Sequence, residues 1–343
     1  MPYYGFNFQW VFAQEPGRTP APADLQALDF LAEVGLNFVR LPCDYRFWTR
    51  GREYYHPDER VLEQIDGYLD ACRQRGLHLS LNLHRAPGYC INRNDLEAEN
   101  LWLSPHAQDA FVFQWELFAR RYKSTPAGQL SFDLLNEPPG VGRCGLTRAS
   151  HAALMRRAAA GIRAISPARP VVVDGLGGGH LAMPELADLG AVHSGRGYQP
   201  MSISHFQAPW WSDHAQCPPV PQYPGPGMPW DQGDWNRDRL RAFYQPWREV
   251  EKMGVTIHIG EFGCYNKTDN PVALRWLTDL MGVFQELGWG YALWEFQGPF
   301  GIVEHGRPNA RYELFHGYPV DRQLLDVFLG SRVGVRPPAG TKS

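Results

Sequence analysis

The 343-residue sequence predicts a single (β/α)8 (TIM) barrel carrying one long Pro/Trp-rich insertion after its sixth strand, and three observations lead there. Short apolar runs alternate eight times with segments of helical period, a pattern that favours a closed parallel barrel over an open sheet. Several runs stop abruptly at a charged or amide residue followed by Pro or Gly, as strands do when they deliver side chains to a rim. The length suits one barrel of ~250 residues with insertions.

Tyr3–Phe8, rich in aromatics, predicts the first strand. Leu25, Leu28, Leu31 and Ala32 share one face of a helix over Pro22–Glu33, closed by Gly35. Leu36–Pro42 predicts the second strand and carries Arg40. Asp58–Arg75 predicts a helix, with Gly76 at the C′ position. The third strand, His78–His84, ends before Ala86-Pro87-Gly88, and a helix follows over Pro105–Tyr122. Leu130–Glu137 predicts the fourth strand and Thr147–Ile165 its helix. Pro138 lacks an N–H for a ladder and biases Glu137 toward extended backbone.

Pro170–Asp174 predicts a short fifth strand running into Gly175-Leu176-Gly177-Gly178-Gly179, with a short helix over Met183–Leu189. Ser202–Gln207 predicts the sixth strand, Asn236–Met253 its helix, Val255–Glu261 the seventh strand, Asn270–Leu287 the next helix, Gly290–Phe296 the eighth strand and Val320–Leu329 the last helix. Residues 1–333 thus form one catalytic domain and 334–343 a frayed Pro/Gly-rich tail. Pro209–Trp235 holds seven prolines and four tryptophans. It is too long for an ordinary βα loop, and its prolines lower the entropy lost on ordering, so 208–235 reads as a lid-like insertion.

A formal net charge of −3 without a basic run gives nucleic acid no footing. No apolar segment nears ~20 residues, so no membrane span is expected. The N-terminus shows no signal peptide, which predicts a cytoplasmic enzyme or an exported one whose leader has been removed. The six cysteines make no CxxC and no zinc spacing, and free, partly buried thiols are expected, with a Cys90–Cys144 bridge the alternative. The glycine run is no dinucleotide fingerprint, and GxSxG, HExxH and Walker patterns are missing, so no cofactor or metal is expected.

The chemistry concentrates in two stretches. Asp133-Leu134-Leu135-Asn136-Glu137-Pro138 ends an apolar strand in an amide and a carboxylate. Val255-Thr256-Ile257-His258-Ile259-Gly260-Glu261-Phe262-Gly263 repeats the plan, its glycines leaving room for a ligand or another backbone. Two carboxylates at strand ends are the minimum equipment for glycoside hydrolysis. Arg40, His84, Asn136, His205 and Trp294 fall at neighbouring predicted tips. Converging polar groups of this kind are costly unless they satisfy one another or a ligand. Arg40 could hold Glu261 ionised, Asn136 could meet a sugar 2-OH, and Trp294 offers a flat face to a pyranose.

The ordered set Val39-Arg40-Leu41-Pro42, Leu83-His84, Leu135-Asn136-Glu137-Pro138, Ser204-His205, Ile259-Gly260-Glu261-Phe262 and Leu293-Trp294 resembles glycoside hydrolase family 5, the cellulase family of clan A, over Gly5 to Leu329. The resemblance implies a retaining double displacement with Glu137 as acid/base and Glu261 as nucleophile, and Arg40, His84, Asn136, His205 and Trp294 lining the subsite of the attacked sugar. Such a pair works with its carboxyl groups ~5–5.5 Å apart. Two departures stand out. Many members carry a tyrosine two residues after the strand-six histidine, where this chain has Gln207, so that Tyr198 or Tyr265 would have to supply the hydroxyl. Arg85 follows His84 where paired histidines are common.

The expected substrate is a β-linked oligo- or polysaccharide, with endo-β-1,4-glucanase first. Trp10, Trp48, Trp102, Trp210, Trp211, Trp230 and Trp235 would stack along a glucan or mannan chain. Walling of one groove end by the insertion would instead give an exo-acting β-glucosidase or β-mannosidase. A non-catalytic carbohydrate-binding barrel would keep the aromatics but need neither glutamate.

Overall fold

The computed structural model describes residues 2–334. Eight strands make the barrel of the main sheet, whose ninth is the two-residue Tyr89–Cys90: β1 (Tyr4–Asn7), β2 (Phe38–Asp44), β3 (His78–Ala86), β4 (Leu130–Asp133), β5 (Val171–Asp174), β6 (Val192–Gly197), β7 (Ile257–Phe262) and β8 (Gly290–Leu293). Their order is 2-1-8-7-6-5-4-3, and β2 also pairs with β3, so the sheet closes on itself. The β1–β8, β7–β8, β2–β3, β3–β4, β4–β5 and β5–β6 ladders are parallel. With helices α1 (Leu25–Glu33), α2 (Glu59–Gln74), α3 (Pro105–Arg121), α4 (Arg148–Ile165), α5 (Arg237–Phe243), α6 (Gln245–Glu251), α7 (Asn270–Leu287) and α8 (Arg322–Gly330) between and after the strands, this is the (β/α)8 barrel that the alternation predicts.

The chain divides into two compact units. One holds residues 8–195 and 249–257, hence β2–β5 and α1–α4. Its helices start where short polar side chains accept the first free N–H groups: Asp24 from Ala27, Asp58 from Arg60, Ser104 from Ala107. Thr147 and Ser150 form a reciprocal capping box on α4. All seven residues of β2 and all nine of β3 are buried, as strands covered on both faces must be.

The other unit holds residues 1–7, 196–248 and 258–343. Here β1 lies along β8 in the register Tyr4 to Tyr291, Gly5 to Ala292 and Phe6 to Leu293. The Asn7 amide donates to the carbonyls of Gly260 (3.0 Å) and Leu293 (3.2 Å), tying the ends of β7 and β8 to β1. Two short hairpins add to it, Gly225–Pro226 with Asp234–Trp235 inside the long insertion, and Glu313–Phe315 with Tyr318–Val320 before α8.

Three expectations need correction. The sixth strand is Val192–Gly197, while Ser202–Ser204 lies in a helical turn, Met201–Ser204, that His205 caps. The helix expected over Asn236–Met253 breaks at Tyr244, because Pro246 cannot donate to the preceding turn and opens α6 instead. The fourth strand ends at Asp133, and Glu137 is not extended but has φ +48°. Among the described residues all six cysteines are free thiols. No described helix is long and apolar enough to cross a membrane. Of the 334–343 tail, residues 335–343 lie outside the described residues.

Candidate active site

In the first unit Arg40, inside β2 and not at its tip as expected because the strand runs on to Asp44, meets His84 of β3 and residues at and after the end of β4 in one buried hydrogen-bond network. Arg40, 1% exposed, donates from Nε to Asp133 Oδ2 at 2.7 Å and from Nη2 to Asn136 Oδ1 at 3.0 Å. Asp174, at the end of β5, lies 3.8 Å from the same guanidinium. The Asn136 amide nitrogen lies 3.3 Å from His84 Nε2. Arg40 and His84, both expected at the site, therefore both meet Asn136. Their cohesion is physical: a buried guanidinium without carboxylate partners would carry a large desolvation cost.

Glu137 itself is half-buried. Its backbone N–H donates to Asp174 Oδ2 at 3.0 Å, and its carbonyl accepts from the Tyr89 hydroxyl at 2.6 Å. Asp133, Asp174 and Tyr89 are absent from the sequence-derived set. Asp174 carries a readable signal, a lone carboxylate ending Val171-Val172-Val173. Tyr89 carries none, because its role depends on a turn folding back beside β3.

In the second unit Glu261 lies in β7 and is 3% exposed. Arg196 Nη2 donates to Oε1 at 3.1 Å, and the Tyr198 hydroxyl donates to Oε2 at 3.1 Å. Both carboxylate oxygens are thereby held by charge-assisted or hydroxyl donors. Of the two tyrosines considered from the sequence, Tyr198 is the one bonded to Glu261. Arg196 escapes the sequence reading along with the strand that carries it, since Val192-His193-Ser194-Gly195-Arg196-Gly197 has too many polar and glycine residues to resemble a buried strand. Gly197 is there for packing: a Cβ on it would come 2.6 Å from Phe262 Cβ. Gly263 likewise leaves room for backbone, since a Cβ would sit 2.5 Å from the Trp294 carbonyl oxygen.

Trp294, directly after β8, is half-buried and donates its backbone N–H to the Phe262 carbonyl at 2.7 Å. His205 stands off the strand but remains near the carboxylate's partners, its ring 5.0 Å from that of Tyr198. Trp210 packs edge-on to Tyr265 at 4.8 Å and is 51% exposed. The expected row of stacking indoles is shorter than the sequence suggests. Trp10, Trp48, Trp102 and Trp235 are at most 8% exposed and serve as packing, whereas Trp210 and Trp230 (56%) present open faces. Trp48 and Trp235 even spend their indole N–H groups internally, on Gln114 and Asp231.

A parallel (β/α)8 fold with buried, hydrogen-bonded acidic, amide and aromatic residues on and after its strands belongs to the class of barrel scaffolds that carry enzyme sites at the strand ends. The family model of cellulase (glycosyl hydrolase family 5) matches residues 4–298. Endoglucanase C of Acetivibrio thermocellus is 28% identical over 312 residues, covering 84% of this chain and 88% of the relative. Cellodextrinase A of Ruminococcus flavefaciens is 26% identical over 75% of this chain and 74% of its own. A crystal structure described as a glycoside hydrolase superposes with a TM-score of 0.94 at 59% identity, covering 97% of this chain and 100% of the other. The chain belongs to glycosyl hydrolase family 5 and is a glycosidase.

Proposed function

We propose that the enzyme cleaves β-1,4-linked glucan internally and with retention, Glu261 attacking the anomeric carbon while Glu137 protonates the departing oxygen and then deprotonates water. The observation that carries this reading is the Arg196–Glu261–Tyr198 arrangement. A nucleophilic carboxylate must be fixed in rotamer and shielded from water, and a nearly buried carboxylate that accepts from a guanidinium on one oxygen and from a hydroxyl on the other meets both needs. Glu137, half-exposed on a loop after β4, suits a group that must exchange a proton twice per turnover. Arg40, His84, Asn136, His205 and Trp294 would line the subsite of the attacked sugar. The names of the relatives Endoglucanase C and Cellodextrinase A support β-glucan as the substrate class. The 208–235 insertion would act as a lid on the Glu261 side, with Trp210 as its exposed sugar platform.

Glu261→Ala should reduce turnover of an aryl β-cellobioside to background, and azide should restore it as glycosyl azide of inverted configuration. Near-normal turnover by this variant would remove Glu261 from the nucleophile role. Products from cellohexaose and mannohexaose decide the rest. Mixed oligosaccharides from cellohexaose fit internal cleavage, whereas release of monosaccharide alone, or preference for mannohexaose, favours the exo-acting or mannan-directed alternative.

A further inference from the structure

Glu137 occupies backbone territory that its own chemistry disfavours. Its φ is +48°, a left-handed value uncommon for a residue with a side chain, and Pro138 behind it further favours extended backbone. Such a conformation persists only when its surroundings over-determine it. The surroundings do so at three consecutive backbone groups. Asp174 accepts the Glu137 N–H at 3.0 Å, Tyr89 donates its hydroxyl to the Glu137 carbonyl at 2.6 Å, and Gly178 donates its N–H to the Pro138 carbonyl at 3.0 Å.

Each arm is itself anchored. Asp174 is 1% exposed and Tyr89 2%. Tyr89 sits in a two-residue strand that folds back antiparallel on Arg85–Ala86, and its ring packs edge-on against Trp102 at 5.4 Å. Arg85, fully buried, locks that turn by donating to Glu97 at 2.6 Å and to the Asn92 carbonyl at 2.6 Å, while Glu97 accepts the Gly88 N–H at 3.1 Å. Gly88 has φ +83°, and a Cβ on it would collide with the Leu101 backbone nitrogen at 2.7 Å. Gly177 and Gly178 also take left-handed φ, +64° and +69°, which turns the Gly178 N–H toward Pro138. The glycine run thus has a place in the molecule.

We propose that Tyr89, Asp174 and the Gly175–Gly179 turn form a backbone clamp whose task is to aim the Glu137 carboxyl at the glycosidic oxygen, making Tyr89 and Asp174 positioning residues for proton donation. This rests on Glu137 being the acid/base. A clamp that aims an acid affects only substrates that need the proton. The discriminating quantity is kcat/KM on two aryl β-cellobiosides, one with a poor leaving group (phenyl) and one with a self-departing one (2,4-dinitrophenyl).

Tyr89→Phe and Asp174→Ala should each lower the phenyl/dinitrophenyl ratio of kcat/KM about tenfold or more, a part of the ~10²–10⁴-fold that general acid catalysis contributes. Asp174→Asn, which keeps an acceptor oxygen, should recover much of it. Loss that is equal on both substrates, or no loss, in folded Tyr89→Phe overturns the clamp. Should Asp174→Ala fail to fold, the tyrosine variant decides alone. Glu137→Ala separates the two ideas: it must collapse the same ratio, and if it does not, the acid assignment fails rather than the clamp.

Discussion

At the scale of single residues, Arg196 bonds Glu261. The pair is almost wholly withdrawn from water, with side chains 0% and 4% exposed. Removing one member of such a pair costs far more than the pair contributes net, because a charge is left in a poorly polarisable interior. Arg196→Met should therefore destabilise the fold by about 3–5 kcal/mol in urea unfolding, with Arg196→Lys recovering part of the loss. An unchanged midpoint for the methionine variant would show that the guanidinium contributes nothing to the fold. Arg40 is a comparable case: its bonds to Asp133 and Asn136 make it a scaffold for the residue next to Glu137.

At the scale of elements, the legible features are those written in local chemistry. Helix starts can be read from Asp58, Ser104 and Thr147 because a cap needs only a polar side chain beside an apolar-periodic run. The boundaries of α7 match the expectation at both ends for the same kind of reason, Pro271 near its start and Gly288 beyond its end. Thr147→Ala removes one half of the α4 capping box and should cost about 1 kcal/mol in chemical denaturation; no change would mean the box is redundant. What is illegible depends on partners far away in the chain. β6 is a strand because β5 pairs with it over Val172–Asp174, not because its own residues favour extension. Misplacing it moves the expected tip from Arg196 and Tyr198 to His205. The two glutamates are legible because each follows an apolar run that ends at proline or glycine. The backbone state of Glu137 is not, since the local preference before proline points the other way and tertiary bonds override it.

At the scale of the whole molecule, several histidines are buried in neutral form. Burial lowers His78, His151 and His305 to about 4. For His151, on α4, neither ring nitrogen has a hydrogen-bond partner among the described residues. Since these folded-state values lie below the ordinary 6.5, the unfolded chain takes up protons first as pH falls. Stability is therefore intact above pH ~6.5 and drains away between there and pH ~4. His151→Phe should flatten this acid slope in melting temperature measured from about pH 7 to about pH 4. A slope as steep as the parent's would mean that His151 accepts its proton in the folded state.

The pairing of β1 with β8 has a consequence for how the chain is born. The Asn7 amide waits for a carbonyl 286 positions downstream. While a ribosome is still threading out the middle of the polypeptide, β1 has β2 beside it on one edge and nothing on the other. That open edge must be kept from wrong partners until β8 emerges, so closure of the barrel waits on a contact of very long sequence separation, a slow step by its topology.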